Sequence, residues 1–259
     1  MYPEDYEIES DKLIRQWIAE GFVKSERGKT LEEVAQQYLL ELIFRSLVQV
    51  FSFTIDGKPK RCSVHDLLYE MILRKINDTG FGRYIGEHDD SVSSGIVQRL
   101  TIATNSDDLL VSIESSYIRS ILLIPLKELS ENLVRIIPTK YMSLKVLNFD
   151  HAPLHYVPED LGNLINLKYL SLGHTKIQSL PKSIGKLQNL ETLDVKAVAA
   201  FEMLEEITRL RKLRHLRVSR KCSFEAVKHG LGGLTSLEQI CTMKIDSDGV
   251  VIRELGKLK

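Results

Sequence analysis

Few residues in this chain are spaced for chemistry, and most such spacings have a plainer structural explanation. Gly28-Lys29-Thr30 matches the tail of a phosphate-binding loop, but that loop needs a glycine five positions earlier and a strand leading in. Position 23 is Val23, and a helical pattern precedes it. Gly80-Phe81-Gly82 with Gly86 is one residue too long for a dinucleotide fingerprint and lacks its strand. His151 and His155 lie four apart, the interval of a helical metal pair, yet they fall in a loop after a strand. His65-Asp66 reads locally as a helix cap. Neither a Ser-His-Asp nor a Cys-His constellation stands out, and no acid–base pair does, so no enzymatic activity is expected.

What remains is recognition chemistry, and a repeat positions it. Leu144, Leu167, Leu190 and Leu213, spaced by 23, each open the pattern Leu-x-x-Leu-x-apolar. Pro158 and Pro181, Gly162 and Gly185, and Asn166 and Asn189 keep the same register. This is a leucine-rich repeat. One unit cannot bury its own apolar face, so stacked strands must form an open parallel sheet with the leucines inward. The outward positions then line a concave face and are read as free for a partner: Asn148, Asp150, Tyr169, Ser171, Thr192, Asp194, Lys196, His215 and Arg217. Arg209, Arg211, Lys212, Arg214, Arg217, Arg220 and Lys221 form a basic cluster around one repeat. That cluster is either a solvated face or a dock for an acidic surface, in cis or in trans.

The first part of the chain has a different grammar. Residues 11–20 place Leu13, Ile14, Trp17 and Ile18 on one helical face, with Gly21 as a stop. Thr30 and Glu33 form a capping box ahead of a second apolar stripe. Leu47–Phe53 and Arg61–Val64 flank Asp56-Gly57, a hairpin signal. Asp66 can cap a third helix carrying Leu67, Leu68, Met71, Ile72 and Ile76. The expected architecture is an α+β winged-helix-like domain over residues 1–78, a linker over 79–96, and an α/β leucine-rich-repeat solenoid over 97–259. Leu255-Gly256-Lys257-Leu258 matches Ile184-Gly185-Lys186-Leu187, so a further strand is expected to follow and the array to be incomplete.

Bulk properties narrow the function classes. Over 259 residues the formal net charge is zero, so no whole-molecule field argues for nucleic acid or a membrane. Three scattered cysteines suit reduced thiols in an intracellular protein. No leader pattern and no apolar run long enough for a bilayer is present.

The N-terminal residues carry a resemblance. Tyr2-Pro3-Glu4-Asp5-Tyr6-Glu7-Ile8, the run Leu13 to Val23, and Ala35 to Val50 resemble the winged-helix region of plant coiled-coil-type NLR immune receptors. Val64-His65-Asp66 is similar to that family's Met-His-Asp motif, and leucine-rich repeats of the Leu-Pro-x-x-Ile-Gly-x-Leu type follow there too.

That resemblance implies a nucleotide-controlled switch in which His65 meets the β-phosphate of ADP and Asp66 positions it. The family's nucleotide-binding domain, with its phosphate loop, is not in this sequence, so this chain alone is expected to bind ADP or ATP weakly or not at all. The implied partners are proteins: a pathogen effector or guarded host protein on the repeats, and the nucleotide-binding domain in cis. The implied location is cytoplasmic, with no nucleic-acid partner and no membrane span. Two rival readings stay open. One is a free-standing leucine-rich scaffold. The other is a DNA-binding winged helix using Lys58, Lys60 and Arg61 on the hairpin.

Overall fold

The computed structural model describes residues 2–86, 96–105, 113, 117–198, 202–219, 222–241 and 250–258. Two sheets organise them. The N-terminal one has three antiparallel strands in the order β1-β3-β2: β1 is Ile8–Glu9, β2 Val48–Phe53 and β3 Pro59–Val64. Helices α1 (Ser10–Glu20), α2 (Leu31–Phe44) and α3 (Asp66–Asp78) complete this domain.

Local chemistry sets most of these boundaries. Gly21 ends α1 in the left-handed region at φ 86°, which only glycine adopts without cost. Thr30 Oγ1 accepts from Glu33 N–H, and the Glu33 carboxylate accepts from Thr30 N–H, closing the capping box of α2. The hairpin is present as expected, while β1 is an addition: two residues are too few to leave a periodic signal. Helix α3 begins at Asp66 itself, which moves the capping position back to His65. Ile8, Ile14, Ile18, Val34, Ala35, Leu39 and Cys62 form the small core.

The second sheet is the solenoid. Its eight parallel strands run in chain order: β4 (Arg83–Ile85), β5 (Arg99–Ile102), β6 (Ser120–Leu123), β7 (Val146–Asn148), β8 (Tyr169–Ser171), β9 (Thr192–Val195), β10 (His215–Val218) and β11 (Gln239–Cys241). Leu100, Ile121, Leu147, Leu170, Leu193, Leu216 and Ile240 align rung on rung. Leu147, Leu170, Leu193 and Leu216 are all 0% exposed, so the spine is a continuous core.

Between strands, the convex side is built from 3-10 turns at Glu159–Asn163, Lys182–Lys186, Glu205–Arg209 and Leu231–Gly233. Helices α4 (Glu131–Lys140) and α5 (Val250–Leu255) take that place at the two ends. Asn166 and Asn189 each donate from Nδ2 to a carbonyl of the preceding repeat, Met142 and Ile165. Lys212 occupies the next position and donates to Asn189 Oδ1 at 2.7 Å, extending the ladder.

One expectation is corrected here, and one element is new. The stretch 79–96 is not wholly a linker, because β4 within it is hydrogen-bonded to β5 and starts the repeat sheet; residues 87–95 lie outside the described set. Helix α4 was not anticipated. Its Leu133, Val134 and Ile137 are buried under a unit whose spacing departs from 23, so no register pointed to it.

Candidate functional site

The concave face is where the chain's polar chemistry converges, and the chain covers that face itself. Of the outward positions read as free, Asn148, Asp150, Tyr169, Ser171, Thr192, Asp194, His215 and Arg217 are between 0% and 7% exposed. Only Lys196 stays half-buried. The reason is α1. Its apolar side, Ile14 and Ile18, faces the N-terminal core, and its other side carries Lys12, Arg15, Gln16 and Ala19, which are also buried. These four fall at i, i+3, i+4 and i+7, one face of a helix. That face lies on β7 and β8. The expectation of an open concave surface is therefore corrected for these positions: a charged helix face met its complement within the same chain.

The contacts run the length of the seam. Lys12 Nζ pairs with Asp150 Oδ2, both side chains being 7% exposed. Arg217 is clamped between Asp194 at 2.9 Å, its neighbour in the sheet, and Glu9 at 2.8 Å, which comes from β1. Lys196 reaches Glu9 from the other side at 3.5 Å. Glu32, in the first turn of α2, accepts from Arg214 at 2.8 Å and meets His215 Nε2 at 3.0 Å. Arg15 donates to Gln239 Oε1 at 2.8 Å, and Arg99 pairs with Glu20 at 2.9 Å. Between these, Ala19 packs on Leu122, Val146 and Tyr169, joined by Tyr2.

Electrostatics records how tight this is. Burial works to raise the Glu9 carboxyl, but the Arg217 hydrogen bond and charge, with Lys12 and Lys196, outweigh it and hold it at about 2. Burial likewise opposes ionisation of Glu32, and the His215 and Arg214 hydrogen bonds override it, again to about 2. The Arg217 guanidinium loses solvent on burial, yet Asp194 and Glu9 hold it more firmly charged than usual. Burial also pushes the Tyr169 phenol up.

The strand ends are shaped for this. Asn148 Oδ1 accepts from Asp150 N–H at 2.8 Å, and two repeats on Asp194 Oδ1 accepts from Lys196 N–H at 2.9 Å. These local turns fix the carboxylates and carboxamide of the concave face. Gly173 lies between them. A Cβ there would stand 2.7 Å from Asp150 Oδ1, so a larger residue would push on that carboxylate.

The other candidate residues fall elsewhere. His65, half-buried, and Asp66, exposed, sit at the β3–α3 junction; the His65 carbonyl accepts from Leu68 N–H at 2.8 Å. Thr30 is used as a cap, and Lys29 pairs with Glu26 and Gln37, so the Gly28-Lys29-Thr30 run is a loop entering α2. His151 stacks on His174, one repeat on, with ring centroids 4.1 Å apart, rather than joining His155. Within the basic cluster, Arg214 and Arg217 bind the N-terminal domain, Arg211 and Lys212 are exposed, and Arg220 and Lys221 lie outside the described residues. On the hairpin, Lys58 pairs with Asp56 at 3.3 Å and Arg61 with Glu7 at 3.3 Å. No helix among the described residues is long and apolar enough to cross a membrane.

A signal for the seam was available in sequence: acidic Glu9 and Glu32 in one domain, basic Arg214 and Arg217 in the other. Complementarity alone does not choose which acid meets which base, so the pairing was not legible.

Comparison with known proteins agrees with this architecture. The profile described as "Disease resistance protein Winged helix domain" matches residues 1–72, and "Leucine-rich repeat region" matches residues 118–259. The chain is 32% identical over 177 residues to "Late blight resistance protein R1-A" of Solanum demissum, covering 61% of this chain and 14% of that protein. It is 36% identical over 99 residues to "Disease resistance protein RPP13" of Arabidopsis thaliana, covering 38% and 12%. Among solved structures, the leucine-rich-repeat ectodomain of the Arabidopsis thaliana membrane receptor kinase GASSHO1/SCHENGEN3 matches 64% of this chain and 24% of that one, at 21% identity and TM-score 0.45, too loose a likeness to argue from. The chain spans between 12% and 20% of the length of the first curated relatives it matches. A winged helix of the disease-resistance type joined to this repeat array places the chain in the NLR family of plant disease resistance proteins.

Proposed function

We propose that this chain is the regulatory and recognition part of a plant intracellular immune receptor, in which the winged helix acts as an internal occupant of the repeats' concave face. The observation that carries this is the burial of eight outward concave positions beneath α1, β1 and α2, with Lys12–Asp150, Arg217–Glu9 and Arg214–Glu32 as the binding pairs. Docked this way, the repeats hold the winged helix in one position. A pathogen effector or guarded host protein that binds the repeats better when the seam is open shifts the equilibrium toward release; one with equal affinity for both states shifts nothing. The role is non-catalytic, and the working compartment is the cytoplasm. His65 contributes a phosphate contact only alongside the nucleotide-binding domain, so the chain alone holds ADP weakly or not at all.

The test is hydrogen exchange on the purified chain carrying Glu9→Lys and Glu32→Lys, which set like charges against Arg217 and Arg214. Amides of α1 and of β5 to β10, which carry its contacts from Arg99 to Arg217, are expected to lose protection. Unchanged exchange across α1 refutes the docking. In parallel, calorimetric titration with ADP is expected to show no micromolar binding, and such binding would overturn the nucleotide part.

A further inference from the structure

The sheet of the N-terminal domain has two edges, and they are finished differently. At one edge β1 is two residues long and gives Glu9 to the seam. At the other, β2 runs for six residues, Val48–Phe53, and among the described strands pairs only with β3. An edge strand aims a row of main-chain donors and acceptors outward, and proteins normally blunt it with charge, proline or brevity. Val-Gln-Val-Phe-Ser-Phe has neither charge nor proline.

The ladder shows which groups are left over. His65 N–H donates to the Leu47 carbonyl at 3.3 Å, and at the hairpin end Thr54 N–H donates to the Lys58 carbonyl at 2.8 Å. Antiparallel pairs alternate between hydrogen-bonded and non-bonded. Counting inward from these two bonds, Val48 and Val50 turn N–H and C=O away from β3. So does Phe53, which stands opposite Pro59, a residue with no N–H to give. The register slips between Val50 and Phe53, so Phe51 has no opposite number in β3. Phe51 and Phe53 are 50% and 61% exposed, and Phe44, at the end of α2 just before the strand, is 82% exposed.

We propose that β2 is an interface with a second copy of this chain, pairing antiparallel with its own equivalent about a two-fold axis at Gln49. In that register Val48 of each copy faces Val50 of the other, so the outward main-chain groups satisfy one another. A strand without charge sets no like charges across the axis. Phe51 and Phe53 of each copy come to the Phe44 end of the other copy's α2. At roughly 150–250 Å² for a fully buried ring, the three rings offer on the order of 400 Å² per copy, about 800 Å² for the pair. The paired strands carry the contact past the roughly 1,000 Å² that a specific interface needs. The two-fold uses up both open edges, so association stops at two. The seam with the repeats takes Glu9 from the opposite edge of the sheet, so the pairing does not depend on the regulatory reading.

The test is sedimentation equilibrium of the intact, reduced chain from sub-micromolar to hundreds of micromolar. The wild type is expected to move from the mass of one chain to that of two. Gln49→Lys sets two ammonium groups across the axis and is expected to weaken the dimer about fivefold, with circular dichroism unchanged because Gln49 is only half-buried. Gln49 pairs with itself at a non-bonded position, where Cα atoms stand about 4.5 Å apart, within disulfide reach. Without reductant, Gln49→Cys is therefore expected to give a covalent dimer, and faster than Ile55→Cys, which lies beyond the strand. A wild-type chain that stays monomeric overturns the proposal and leaves the edge to a partner of another kind. So do assemblies larger than two, a dimer whose affinity Gln49→Lys leaves unchanged, or a Gln49→Cys variant that links no faster than Ile55→Cys.

Discussion

Lys12→Met tests the seam most sharply. Lys12 and Asp150 are each 6% exposed and come from different domains. Removing the ammonium leaves a carboxylate buried with Oδ1 already lacking a partner and Oδ2 left only the His151 ring at 3.9 Å. Deleting one member of a buried pair costs about 3–5 kcal/mol, whereas replacing both members by apolar groups is often neutral. The loss has an upper bound set by the chain itself, because undocking of α1 returns Asp150 to water. A loss of about 3 kcal/mol changes the docked-to-open ratio by about two orders of magnitude. The assay is a double-mutant cycle of Lys12→Met and Asp150→Leu in urea denaturation, with hydrogen exchange on α1 and β7. The single variants are expected to lose stability or α1 protection, and the double variant to recover most of it. Singles that each behave like the wild type, or a double whose loss equals the sum of the singles, would refute the buried cross-domain pair.

Further outcomes follow from the same geometry. Glu9 and Glu32 have carboxyls near 2 in the folded chain against an ordinary 4.5. Depressed folded-state values mean their contribution is complete above about pH 4.5 and is lost as pH falls toward 2, so the stability gap between wild type and Glu9→Gln is expected to close over that window in urea titrations. Gly173→Ala puts a methyl 2.7 Å from Asp150 Oδ1 and is expected to cost about 1–3 kcal/mol by overpacking; a variant as stable as wild type by thermal unfolding counts against the close approach. Leu170→Ala removes a 0%-exposed rung of the spine and is expected to cost about 2–5 kcal/mol. Thr30→Ala opens the α2 capping box for about 1 kcal/mol, read as faster exchange in its first turn.

The sequence by itself determined the spine. A 23-residue register of leucines admits only one way to bury every unit, since each inward rung needs its neighbours, and Leu147 to Leu216 stack as that period demands. Thr30 with Glu33, Gly21 and the Asp56-Gly57 hairpin were also legible, because caps and turns act over a few residues. What only the tertiary structure decided is the fate of the outward positions. Asp150, Tyr169, Asp194 and Arg217 look solvent-facing by period, and α1 looks polar on the side bearing Lys12 and Arg15. Each face is soluble on its own, so neither announces the other in a local pattern. They are buried because two domains far apart in the chain bring opposite charges into register, and such a match is a property of three-dimensional placement, not of spacing.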